Sequence, residues 1–300
     1  MLTLLAVVLA GLAGATLLAV FAVLASPSRS MSDPLDSTPA DHWLVARAAR
    51  FPAIRRLLGH VDRRFAGGIA VALCLVAVFF AALFVGWVFS SIDSDRGFAH
   101  WDQALAEWGP DHANSATAGA MKAITQLGGT YVLVALMIAV GAIDWSRRRD
   151  ATSLWFLLTV GVGVSLVNNG LKLLIMRDRP PVDHLVDAAG SSFPSGHSSA
   201  AAACWMAIAL IAGRWLPPRV RPWLALVAVG IACTVAASRT LLGVHWLTDV
   251  VAGLAVGWTW FFVVAVIFGG RLQRFGEPAE RVAATTVDVT DHRKGVRNGI

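Results

Sequence analysis

Apolar residues along this chain gather into long unbroken runs, not into the alternating or half-and-half patterns of a water-soluble fold. Seven runs stand out, at 2–25, 67–92, 120–143, 151–175, 197–216, 220–238 and 246–268. A helix that crosses a bilayer needs about 20 mostly apolar residues. The runs are too long and too continuous for barrel strands, whose apolar positions alternate every second residue. The pattern predicts an all-α, polytopic membrane helix bundle. Its third run is the most interrupted: Thr125, Gln126 and the Gly128-Gly129 pair break the first half, leaving 131–143 as the clean stretch.

The runs divide the chain into four parts. Residues 1–26 read as an extra N-terminal transmembrane helix. This stretch has no basic leading region, and its apolar run exceeds that of a cleaved signal, so the reading is a retained span. Residues 27–66 form a basic linker. Within it, 41–65 interleaves Arg and apolar residues at helical spacing, which fits either a helix lying on the inner membrane surface or an ordinary basic connection. Residues 67–270 hold six spans and form the core, and 271–300 is a polar tail expected to be disordered.

Composition sharpens this picture. Of the 300 residues, 56% are apolar and 15% charged, against about 45–50% and about 25% in soluble domains. The mean hydropathy is +0.64. Disordered, collagen-like and coiled-coil chains are excluded. The net charge of +6 is no sign of a nucleic-acid partner, because the basic residues sit where membrane topology places them. Segment 27–66 carries seven Arg, Arg147-Arg148-Arg149 follow the third run, Arg214, Arg219 and Arg221 follow the fifth, and the tail is basic again. Segment 93–119 has five carboxylates against Arg96 alone. The positive-inside bias therefore predicts 27–66, 144–150, 214–221 and the tail in the cytoplasm, with 93–119, 176–196 and 239–245 outside. Cys74, Cys204 and Cys233 each lie within an apolar run and read as small buried hydrophobes.

Three polar clusters fall at the outer ends of predicted spans, where ionisable groups point to function. The first holds Lys172 and Arg179, followed by Pro180. Seven residues make two helical turns, which predicts both cations on one helix face as an anion clamp, with Pro180 ending the helix. The roles of Arg177 and Asp178 between them stay open, the plainest reading being a local ion pair. The second cluster, around Ser195, Gly196 and His197, opens the fifth run. A helix start offers free backbone N–H groups and a positive dipole end to a phosphate, and His197 sits where it can pass a proton. The third contains Arg239, His245 and Asp249. The last two are four apart at a helix start, so the carboxylate can fix one imidazole nitrogen and leave the other free as a nucleophile. Arg239 adds a planar cation suited to phosphate.

Taken in order, Lys-x6-Arg-Pro, Pro-Ser-Gly-His and Ser-Arg-x5-His-x3-Asp resemble the three-part signature of the type 2 phosphatidic acid phosphatase family, whose catalytic core is shared with bacterial acid phosphatases and vanadium haloperoxidases. The match runs over residues 172–249. The resemblance implies a six-span membrane phosphatase, with catalytic roles for three residues. His245 would be the nucleophile that becomes a phosphohistidine. Asp249 would orient it, and His197 would act as acid and then base. Lys172, Arg179, Arg239 and the backbone around Ser195 and Gly196 would hold the phosphoryl oxygens, with no metal and no cofactor. The implied partners are the bilayer and a lipid phosphate: an isoprenyl diphosphate, phosphatidylglycerol phosphate or phosphatidate, met at the outer face. The extra span at 2–25 departs from the family layout.

Other readings of the same residues stay open at this level. One is a phosphotransferase that passes the phosphoryl group to a lipid or sugar hydroxyl. Another is a non-enzymatic lipid transporter or scaffold. A third is a metal site of His197, His245 and Asp249, which three nearby cations oppose.

Overall fold

The computed structural model describes residues 63–94 and 97–272. The first run, the linker up to 62 and the tail from 273 lie outside the described residues, and with them the expected seventh span, the surface helix and the disordered tail. Eight α-helices follow one another: α1 (Arg63–Ser94), α2 (Asp102–His112), α3 (Ser115–Gln126), α4 (Thr130–Arg148), α5 (Thr152–Ile175), α6 (Gly196–Gly213), α7 (Arg221–Leu241) and α8 (Leu247–Leu272). Short 3-10 turns, Gly97–Trp101 and Pro218–Val220, precede α2 and α7. Among the described residues, six helical segments are long and apolar enough to cross a membrane: Cys74–Ile92, Thr130–Arg148, Thr152–Ile175, Gly196–Gly213, Pro218–Leu241 and Leu247–Phe268. The chain is a polytopic membrane helix bundle.

One span differs from the sequence expectation. Residues 120–143 are not one crossing. The glycine pair splits them, so that the first half becomes α3 and the crossing is α4. A residue with a Cβ at position 128 would press on Val235 Cγ1 at 2.6 Å and on the His197 carbonyl oxygen at 2.9 Å. From residue 97 on, the acidic segment is likewise largely helical and not a loop. Asn114 starts α3 with a capping box, its Oδ1 accepting from the N–H groups of Ala116 (3.0 Å) and Thr117 (2.9 Å).

Helix α6 is the hub, packed against α4, α5, α7 and α8, while α8 also holds α1 and α5. Small residues allow this. Ala201, Ala202, Ala203 and Ala207 on α6 are fully buried. On α8, Gly253 faces Ser195 and Ser198, and Gly257 faces the Ser199 backbone. Between helices in lipid, dispersion and close backbone approach replace the hydrophobic drive available in water, so small residues take the interfaces. Large side chains such as Phe80, Leu166, Leu173 and Trp223 face outward. Cys74 and Cys204 are buried as expected, but Cys233 is exposed on α7, because its position falls on the outward face of that helix.

This packing makes the chain run up and down. The C-terminal ends of α1, α5 and α7 meet the start of α8 and the short helix α2 at one end. At the other end, the α4 and α6 termini meet the start of α5 around Asp144.

Candidate active site

Helix α5 ends earlier than the proline suggests. Met176 adopts a left-handed conformation (φ 46°), its N–H returning to the Lys172 carbonyl, and the helix stops at Ile175. Lys172 is thus the last-turn cation of α5, and its ammonium donates to the Ser191 carbonyl. Arg179 lies beyond the helix, in the 176–195 segment. The two cations do not share a helix face, contrary to the sequence expectation. Arg179 is placed by carbonyls instead: Nε donates to Gly190 (3.2 Å), Nη2 to Ala189 (2.9 Å) and Nη1 to Val244 (2.7 Å). That leaves Nη1 3.4 Å from His245 Nε2. Burial lowers the pKa of Arg179, and Asp249 opposes that effect.

Ser195 is the residue before α6, in an extended conformation. Its own N–H is taken by the Asp249 carbonyl oxygen at 3.0 Å, so it is not a donor for an anion. Its hydroxyl accepts from Ser198 at 3.0 Å. The N–H groups of Gly196, His197 and Ser198 belong to the first helical turn, which has no acceptors of its own. Gly253 and Gly257 bring this start close to α8. His197, half-buried, lies within electrostatic reach of Arg239, His245, Arg179 and Lys172.

The α7–α8 connection supplies the other imidazole. Gly243 turns the chain with φ +74°, and a Cβ there would sit 3.0 Å from Pro110 and from Val182. Only glycine adopts that conformation without strain. The turn buries His245 and sets its Nδ1 3.3 Å from Asp249 Oδ2, which also accepts from the Trp246 N–H at 3.0 Å. His245 lies just before α8 and Asp249 in its first turn, so the four-residue spacing works across the helix start. A carboxylate only accepts, so the ring proton belongs on Nδ1, and Nε2 keeps its lone pair. Burial pulls the His245 pKa down to about 4 against the hydrogen bond and charge of Asp249, with Arg179 and Arg239 adding to the fall. Arg239 is 6% exposed. Its Nη1 donates to Thr125 at 3.1 Å, while its buried Nε has no acceptor.

The eight residues singled out from sequence therefore converge at one end of the bundle. Three more join them. Arg177 does not serve Asp178. Its Nη1 reaches Asp249 Oδ1 at 2.6 Å and its Nη2 reaches Asp102 Oδ2 at 2.9 Å. Thr248 donates its N–H to Asp102 Oδ1 (2.9 Å) and its hydroxyl to Asp102 Oδ2 (2.6 Å). Asp102 was one of five carboxylates in the acidic segment, with nothing local to set it apart. The signal for Arg177 was its place two residues before Arg179. Among the described residues, no group of three or more His, Cys, Asp and Glu side chains is arranged to hold a metal ion.

Comparison with known proteins places this geometry in context. The family model described as PAP2 superfamily matches residues 152–273, a stretch that contains all three clusters. The chain is 37% identical over 157 residues to phosphatidylglycerophosphatase B of Bacillus subtilis, covering 52% of this chain and 76% of that protein. It is 33% identical over 144 residues to decaprenylphosphoryl-5-phosphoribose phosphatase of Mycobacterium tuberculosis, covering 45% and 72% respectively. Among solved structures, the transmembrane PAP2 type phosphatidylglycerolphosphate phosphatase of Bacillus subtilis superposes with a TM-score of 0.59 at 32% identity, covering 65% of this chain and 96% of that one.

Proposed function

The chain belongs to the PAP2 superfamily, and we propose that this multi-pass membrane phosphatase hydrolyses its lipid phosphate through a phosphohistidine on His245. Nε2 of His245 attacks phosphorus in line with the lipid oxygen. The bond from phosphorus to that oxygen breaks as His197 gives it a proton, and the lipid alcohol leaves, or the lipid monophosphate where the substrate is a diphosphate. His197 then takes a proton from a water, whose oxygen attacks phosphorus. The phosphorus–nitrogen bond breaks, and inorganic phosphate and free His245 are restored. Asp249 stabilises the positive charge that the ring carries between the two steps. Splitting the hydrolysis in this way replaces one difficult displacement by two easier ones.

The observation that carries the reading is Arg239. A buried guanidinium N–H without an acceptor is rare, because leaving it unsatisfied costs free energy. Here it stands beside Arg179, Lys172, two imidazoles and a helix start, and a phosphoryl group supplies the missing acceptor. Phosphoryl transfer needs charge stabilisation more than covalent help. The cations and the first-turn N–H groups of α6 provide it, and they repel a metal cation. The reaction on this reading is metal-independent and uses no cofactor. The roles of Lys172, Arg179, Arg239 and Gly196 are to hold phosphoryl oxygens. Ser195 serves through its place before α6, since its N–H is committed to Asp249.

The site faces outward on the positive-inside reading, with the C-terminal tail in the cytoplasm. A headgroup then meets the site at the membrane surface while its chains stay in the bilayer. Among candidate substrates, phosphatidylglycerol phosphate ranks first, supported by the 37% identity to phosphatidylglycerophosphatase B. Isoprenyl diphosphate and phosphatidate follow. The test is phosphate release by the purified protein from all three, side by side, with chelator present. Turnover of at least one is expected in chelator and absent in His245→Ala. Release that continues in His245→Ala would sink the phosphohistidine, and release abolished by chelator would sink metal independence.

A further inference from the structure

We propose that Asp102 and Arg177, with Thr248 between them, are positioning residues that hold Asp249 in register with His245 and set the charge it presents. This deepens the phosphohistidine reading and rests on it. Asp249 is fully buried, Thr248 likewise, and Asp102 is 5% exposed. The two oxygens of Asp249 have separate partners. Oδ1 takes Nη1 of Arg177, which also donates to the Thr248 hydroxyl at 2.7 Å, while Oδ2 is left to His245 and the Trp246 N–H. The guanidinium stands 5.1 Å from the centre of the Trp246 ring, so its plane is held from that side as well.

Charge arithmetic explains why a second carboxylate is present. A buried carboxylate needs a cation nearby. Arg177 alone would cancel Asp249 and weaken its hold on a positively charged imidazole ring. Asp102 shares the same guanidinium, so one cation serves two carboxylates and the trio keeps a net charge of −1 next to His245. Neither Arg177 nor Asp102 has a polar contact with Lys172, Arg179 or Arg239 among the described contacts, so the trio acts through Asp249 and not on the phosphoryl group. Helix α2, from the acidic segment, thereby belongs to the catalytic apparatus through the N-terminus of α8, whose Thr248 N–H it caps.

The test compares Asp102→Asn, Arg177→Gln and the double variant with the wild type in the full-length purified protein, using phosphatidylglycerol phosphate or whichever of the three lipids the wild type turns over. Misplacing a reacting group by about 1 Å can cost about 10²-fold. Asp102→Asn is expected to lower kcat about 10-fold and Arg177→Gln about 100-fold, both with KM unchanged within about twofold. The double variant is expected to fall no further than Arg177→Gln, because the two act as a unit. The His245 titration, followed by NMR, adds a readout that simple loss of packing does not move. Loss of the cation in Arg177→Gln raises its midpoint, and loss of the anion in Asp102→Asn does not. The other charged and titratable groups facing His245 (Arg179, Arg239 from α7, His197 from α6 and Lys172 from α5) are the same in every variant. If Asp102→Asn does not fold, Thr248→Val, which removes only the bridging hydroxyl, takes its place. Wild-type kcat in the folded variants overturns the proposal. So does a loss of activity in step with lost folded protein and with the His245 titration unmoved. Activity retained in His245→Ala instead overturns the phosphohistidine reading on which the proposal stands.

Discussion

His245 is 3% exposed, and a positive charge on its ring has little water to solvate it. Asp249 returns part of that cost, but burial dominates, and Arg179 and Arg239 push in the same direction. Burial thus favours the neutral ring, and in the proposed mechanism its Nε2 is the attacking atom. An NMR titration of the free enzyme in detergent, with the signal assigned by its loss in His245→Ala, is expected to give a midpoint at about 4, not the ordinary value of about 6.5. A midpoint near the ordinary value would mean that the ring is hydrated and not held in the buried place described. Arg239 shows the complementary logic: its Nη1 is committed to Thr125 and its Nε is not committed at all. One residue can thus be anchored and still keep a donor for a ligand.

At the scale of elements, the two ends of the bundle use charge differently. At the end away from the site, Asp144 joins three helices. Its Oδ2 accepts from Ser153 at the start of α5 (2.5 Å) and from Arg214 after α6 (3.2 Å). Its Oδ1 accepts from Trp215 (2.7 Å) and lies 3.3 Å from Arg148 Nε. Asp144 is 1% exposed. Ser153, Arg214, Trp215 and Arg148 are all donors, so the buried carboxylate is satisfied and acts as a clamp. Removing one member of a buried ion pair leaves the other uncompensated. Asp144→Asn is expected to destabilise the folded protein by about 3 kcal/mol, at the low end because the arginines keep some solvent, with phosphate release per folded molecule nearly unchanged. Thermal unfolding in detergent and the phosphate assay together check this. A loss of turnover without a loss of stability would show that the clamp reaches the site. The α6–α8 pair sets the site end instead. Gly253 and Gly257 let the start of α6 approach α8 closely enough for the Ser195 N–H to reach the Asp249 carbonyl.

For the whole molecule, the described part begins and ends on the same side of the membrane, because it contains six crossings. The site lies at the opposite side, with α2 and α3 around it. Arg147, Arg148, Arg149, Arg214, Arg219 and Arg221 lie at the end away from the site, and carboxylates dominate 93–119. On the positive-inside bias we propose that the site faces outside the cell. Single-cysteine labelling with a membrane-impermeant reagent is expected to mark Asp111→Cys in intact cells. Arg219→Cys, at the other end, is expected to react only after permeabilisation. The reverse pattern would turn the site toward the cytoplasm and change which lipid pool it meets.

Much of this was readable before any coordinates. The number of core spans, their approximate limits and the residues of the three clusters follow from local rules: the length of helix a bilayer demands, glycine and proline punctuation, and side chains with no reason to be in lipid except chemistry. Even the broken third run announced itself in Gly128-Gly129. Tertiary structure alone decided which carboxylate of the acidic segment meets Arg177 and Thr248. Asp102 and Thr248 are 146 residues apart, and Arg177 lies 75 residues from Asp102. It also decided that Arg179 lies beyond the helix and that the N–H of Ser195 is already engaged. These are contacts between distant segments, set by how the helices and their connections pack at one end of the bundle. A pattern read along one chain records what each helix buries, not which atom of its neighbour it will meet.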